Sequence, residues 1–214
     1  MSATMDNMLK QTVESLLEHP QLWRGARRSA PHVIASGHAE LDASLSGGWP
    51  GGALTEILLP QPGIGELELV LPALLRLGRE RRWIALIGAP YTHRSPAWQN
   101  SGMNLSRLLW VHPRSARERL LAMEQAMRNG TCGGVLGWSD GSFGTRELRR
   151  LQLAAEHGNC MGILFNVQTK AGQMSPAALR LRLECNDEPE DESLTIHLAK
   201  GVRSQMVKIP KLMP

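Results

Sequence analysis

The sequence predicts an α/β fold: a mostly parallel sheet flanked by helices, closed at its C-terminal end by an antiparallel hairpin. Three observations carry that prediction. Apolar strand-sized runs alternate with amphipathic segments between 53 and 167, as right-handed βαβ units require. Explicit cap residues mark two of the helices. After 170 the apolar period switches to two, the signature of strands with one solvated face.

The elements follow in order. Residues 4–18 carry Met5, Met8, Leu9, Val13, Leu16 and Leu17 at helical spacing, with Thr4 as N-cap and His19-Pro20 as the stop. This amphipathic helix either packs on its own domain, the preferred reading, or docks on a partner. The basic connector "LWRGARRSAPH" lacks periodicity, so residues 1–32 form a helix and linker ahead of a core spanning 33–200. Strands are expected at 53–59, 83–88, 107–112, 133–138 and 160–167. Helices are expected at 65–80, 94–101, 115–129 and 145–157. Ser115 and Glu118 make a capping box, and Gly130 stands just past that helix. Leu148, Leu151 and Ala155 stripe the next one. Pro72 is awkward inside 65–80 and is expected to open a second helical piece. "AALRLRLEC" and "SLTIHLAKG" flank the acidic "NDEPEDES" as a hairpin. Residues 201–214 are basic and read either as a tail that orders on a partner or, through "SQMVKIP", as a last strand. On the tail reading Arg203, Met206, Lys208, Ile209 and Lys211 are the candidate contacts to a partner or to DNA.

Composition bounds the function without naming it. The chain of 214 residues is 42% hydrophobic and 21% charged, with net charge +4, a basicity too mild to demand nucleic acid. Cys132, Cys160 and Cys185 are far apart and form no CxxC pair, so they read as buried thiols of a reduced, cytoplasmic protein. No apolar run has the length of a leader or a membrane span. The seven histidines are scattered, which argues against a metal site. Arg76, Arg79, Arg81 and Arg82 read as a solvated helix end.

One loop invites a nucleotide. "LLPQPGIGELEL" (58–69) follows an apolar strand and opens a helix, as a phosphate loop does, with Pro60, Gly63 and Gly65 in place. Glu66 and Leu67 occupy the positions that lysine and serine or threonine would fill. A unit charge about 4 Å from a phosphate is worth roughly 4 kcal/mol at an effective dielectric of 20, so reversing its sign costs up to ~8 kcal/mol. The expectation is therefore no nucleotide, no cofactor and no turnover. Glu66 is read as a carboxylate favouring the helix dipole. The sharper alternative is that it fills the vacant anion site itself.

A second motif invites a nucleophile. "GWSDG" (137–141) is G-x-S-x-G between a strand and a helix, with Asp187 and His197 following in triad order. Asp187 sits in a charge-rich loop and no oxyanion segment is evident, so the hydrolase reading is set third.

The residues also carry a resemblance. "IASGHAELDASLSGGWPGGALTEILLP" (34–60) resembles the segment leading into the phosphate loop of RecA-type recombinases. "GGVLGWSD" is similar to the second nucleotide strand with Trp138 near its aspartate, and "ILFNVQ" to a strand ending in Asn-Gln. With "HPQLWRG", "LPALLRLGRERRWIALI" and "SPAALRLRLE", the chain resembles the ImuA family over roughly 17–200. That resemblance implies a RecA-like, non-catalytic, nucleoid-associated accessory protein of SOS-induced translesion synthesis. Its partners would be the polymerase-like ImuB and, further, RecA, DNA or a second copy. The middle of the chain, from "WQNSGMNLSRLL" through "LAAEHGNCMGILF", is also similar to SulA, which implies the alternative of a division inhibitor that binds FtsZ.

Overall fold

The computed structural model describes residues 32–90, 102–167, 174–185, 193–200 and 206–210. The helices expected at 4–18 and 94–101, together with Asp187, Arg203 and Lys211, lie outside them.

An eight-stranded sheet runs in the order β10-β9-β8-β3-β7-β6-β4-β5. Its strands are β3 (Ala53–Leu59), β4 (Trp83–Ile87), β5 (Leu108–Val111), β6 (Cys132–Ser139), β7 (Met161–Val167), β8 (Leu179–Cys185), β9 (Ser193–Lys200) and β10 (Met206–Pro210). From β8 to β5 every pairing is parallel; β9 runs against both β8 and β10. A small ribbon, β1 (Val33–Ile34) with β2 (Trp49–Pro50), and a short helix α1 (Ala39–Ser44) precede the sheet. The hairpin expected after 170 is present as β8 and β9, and β8 also docks alongside β3. Part of the segment read as a tail is corrected to a strand: β10 pairs with β9 from Met206↔His197 to Pro210↔Ser193.

The central strands β3, β6 and β7 bury both faces, and their alternate side chains feed two cores. Helix α2 (Glu66–Arg79) covers one face with Leu69, Leu74 and Leu77 against Ile57, Leu136 and Phe165. Helices α3 (Ala116–Arg128) and α4 (Thr145–Gly158) cover the other with Leu120, Met123, Leu148 and Leu151 against Val135 and Leu164. The Ser115 hydroxyl accepts the Glu118 N–H at 3.2 Å, as the sequence pattern requires. Within α2 the structure departs from expectation. Pro72 sits inside one continuous helix rather than starting a second. Its ring fits because Gly37, at φ +89°, lacks a Cβ; one built there would lie 2.5 Å from the Pro72 Cβ.

Arg82 is likewise not a solvated helix end. Its guanidinium donates to the carbonyls of Gly130, Cys132, Gly158 and Asn159, at 2.8–3.5 Å. These include carbonyls at the ends of α3 and α4, where the helix dipoles are negative and hydrogen-bond partners run out. Arg76 and Arg79 are exposed as expected. Cys132 and Cys160 are buried, Cys185 only partly. Burial, with Cys132 close by, pushes the Cys160 thiol up to about 12.

Candidate functional site

The loop between β3 and α2 ends at Gly65, whose left-handed φ of +110° turns the chain into the helix. At helix position one, Glu66 is only 1% exposed. Its carboxylate folds back onto the loop and accepts the N–H of Gly63 at 3.0 Å through either oxygen and that of Ile64 at 3.1 Å. Those are the donors with which such a loop would hold a phosphate. The dipole reading of Glu66 is thus too weak. The side chain occupies the anion position itself.

Trp138 is the other half of the arrangement. It lies buried on β6, tilted 36° to Phe165 at a centroid distance of 4.9 Å, and its indole N–H approaches Glu66 Oε1 at 3.4 Å. A carboxylate at the start of α2 and an indole on β6 therefore face each other. Leu67 packs against the adjoining core and offers a cation no ligand. Pro60 and Gly63 remain exposed on the rim. The geometry closes the loop from within.

A second polar group lies deeper, and sequence reasoning passed over it. Glu56, at the centre of β3, is 0% exposed. Its Oε1 accepts Asn166 Nδ2 at 2.9 Å, and its Oε2 stands 3.1 Å from Arg180 Nε as an ion pair. Asn166 in turn accepts the Gly141 N–H at 3.1 Å. One network thus stitches β8, β3, β7 and the turn after β6. The available signal was a lone carboxylate inside "ALTEILL", a strand buried on both faces, which demands a partner somewhere.

The serine motif does not assemble a nucleophile. Ser139 is 3% exposed, and its hydroxyl reaches only Ser142 Oγ at 3.5 Å among the contacts described for it. His197 lies on β9, four strands away in the sheet, with Nε2 3.1 Å from Glu184 Oε2. At about 4.8 Å per strand that separation is roughly 19 Å, far beyond proton transfer. Asp140 faces Arg119 at 3.7 Å. Ser139→Ala is accordingly expected to leave biological activity intact, and fluorophosphonate probes to leave the protein unlabelled; stoichiometric labelling of Ser139 would revive the hydrolase.

The C-terminal candidates divide. Met206 (58% exposed) and Lys208 face outward on β10, whereas Ile209 is buried with Val207 beneath the sheet and is corrected to a core residue. Among the described residues no helix is long and apolar enough to cross a membrane.

Comparison with known proteins decides the family. The model of the family described as cell division inhibitor SulA matches residues 52–162, from the entry of β3 to the start of β7. The chain belongs to the SulA family. Cell division inhibitor SulA of Klebsiella aerogenes is 32% identical over 138 residues, covering 63% of this chain and 80% of its own length. The SulA of Photorhabdus laumondii is 33% identical over 114 residues (53% and 63%), and that of Cronobacter sakazakii 32% over 135 residues (61% and 79%).

Membership of the SulA family overturns the ImuA reading, with its translesion synthesis role and its ImuB partner, because relatives and family model alike carry the division-inhibitor name. RecA and DNA, expected as further partners on the same resemblance, fall with it. The misreading has a physical root: the motifs that favoured it lie largely in the strand-to-helix scaffold, and the glycine-rich entry "LDASLSGGWPGG" sits almost wholly ahead of the matched stretch. One further expectation stands on SulA membership. The protein is not an enzyme.

Proposed function

We propose that this protein is a SulA-type inhibitor of cell division that acts by binding FtsZ in the cytoplasm. The observation that carries the reading is the SulA match across the contiguous β3–β7 block, which includes the loop closed by Glu66. A scaffold whose anion site is filled by its own side chain acts through its surface rather than by turnover. The RecA-like character of the scaffold belongs to this proposal too, supported by the parallel sheet order and by the loop's place between β3 and α2. Among the described residues after 200, Met206 and Lys208 are exposed to a partner.

Induced expression is expected to turn rod-shaped cells into filaments, and the tagged protein to retain FtsZ on purification. Cells of normal length together with no retained FtsZ would overturn the reading.

A further inference from the structure

The outer faces of α3 and α4 carry a charge pattern that the division reading does not use. Arg117 on α3 and Arg146 and Arg149 on α4 are exposed. No ion pair or side-chain hydrogen bond joins them to another described residue. The carboxylates of the same two helices are already engaged within the chain. Glu118 accepts the Arg114 N–H at 2.8 Å, and Glu147 accepts the Gly144 N–H at 3.0 Å. Glu124 pairs with Arg150 and Arg128, and Glu156 takes the Gln152 amide at 2.8 Å. Each acid thus serves a cap, a bridge or a neighbour, and none of them pairs with Arg117, Arg146 or Arg149.

Apolar groups are interleaved with that charge. Leu121 lies one turn from Arg117 and is 40% exposed; Leu153 lies one turn from Arg149 and is 47% exposed. The Arg150–Glu124 pair ties the two helices side by side, so both leucines belong to the solvent face that the helix pair presents. Guanidinium groups are weakly hydrated and match carboxylates two bonds at a time, which suits them to protein interfaces. A polyanion such as DNA would use the arginines and leave the leucines in water, whereas a protein segment would cover both.

We propose that the solvent face of α3 and α4 is a docking surface for an acidic segment of another protein, one that presents carboxylates to Arg117, Arg146 and Arg149 and apolar side chains to Leu121 and Leu153. The proposal stands independently of the FtsZ reading, since it rests on residues of this face alone.

The test is fluorescence anisotropy with the full chain. The probes are a labelled synthetic peptide carrying glutamates and leucines at i, i+4 spacing and a labelled duplex DNA. The expected result is saturable peptide binding that weakens with salt. It should fall at least about tenfold in Arg117→Glu/Arg146→Glu and about threefold or more in Leu121→Ser/Leu153→Ser. Arg76→Glu/Arg79→Glu, on the opposite face of the sheet, should change nothing. All substituted side chains are solvent-exposed, and an unchanged melting temperature confirms that each variant is folded. The proposal is overturned by absence of saturable peptide binding, by undiminished affinity in either the arginine or the leucine variant, by an equal loss in the opposite-face control, or by DNA binding more tightly than the peptide.

Discussion

Glu56→Ala should destabilise the protein by about 3–5 kcal/mol, the range for removing one partner of a buried ion pair. The reason is what it leaves behind. Arg180 keeps its charge with only 14% of its side chain exposed, and Asn166 loses the acceptor of its amide. For a chain of this size each kcal/mol lowers the midpoint by roughly 2–4 °C, so thermal unfolding should shift on the order of ten degrees. Urea unfolding of three variants separates charge from packing. Glu56→Ala and Arg180→Ala should each be costly, whereas Glu56→Leu combined with Arg180→Leu should recover most of the loss, because two apolar side chains leave no uncompensated charge. A cost below about 1 kcal/mol for Glu56→Ala would show that water reaches the pair and that the network holds nothing together.

The second large effect is expected at Glu66. Its carboxylate satisfies two backbone donors and lies close to a third on Trp138. Losing a charged acceptor costs about 1.5–3 kcal/mol. Glu66→Lys adds an ammonium facing the positive end of a helix in a buried position, so it should be worse than Glu66→Ala, with Glu66→Gln the mildest of the three. Introducing lysine is not expected to create a nucleotide site, since Leu67 still denies a magnesium ligand. Denaturant melts give the ranking and calorimetry with ATP gives the binding. A Glu66→Lys protein of native stability that takes up ATP at micromolar concentration would contradict this account.

Much of the architecture was legible in the sequence because its signals are local. The strand at 53–59 was read to the residue, and the observed helix Ala116–Arg128 lies within the span expected for it, since an apolar run or a capping box is contained in its own segment. What escaped depends on residues far apart in the chain. Pro72 lies inside a continuous helix and packs its ring where Gly37, distant in sequence, leaves room for it. Arg82 looks like one of four surface arginines until two distant helix ends converge on it. The tail and strand readings of "SQMVKIP" could be separated only once β9 supplied an edge for it to pair with. Glu66 is the instructive case. Its position at a helix start was visible, but the loop amides that it meets point inward only after Gly65 has turned the chain.

The place of β3 in the sheet has a consequence for how the chain is made. The strand leaves the ribosome early, yet both of its neighbours, β7 and β8, are encoded much later; Glu56 and its partner Asn166 are 110 positions apart. At about 5–20 residues per second the ribosome needs roughly 5–20 s to supply that partner. For that interval a nascent apolar strand with an unpaired carboxylate waits beside the exit tunnel, within reach of chaperones and of neighbouring nascent chains. Non-local pairing of this kind also slows folding after release. The centre of the sheet can therefore close only after β7 and β8 have emerged, late in synthesis.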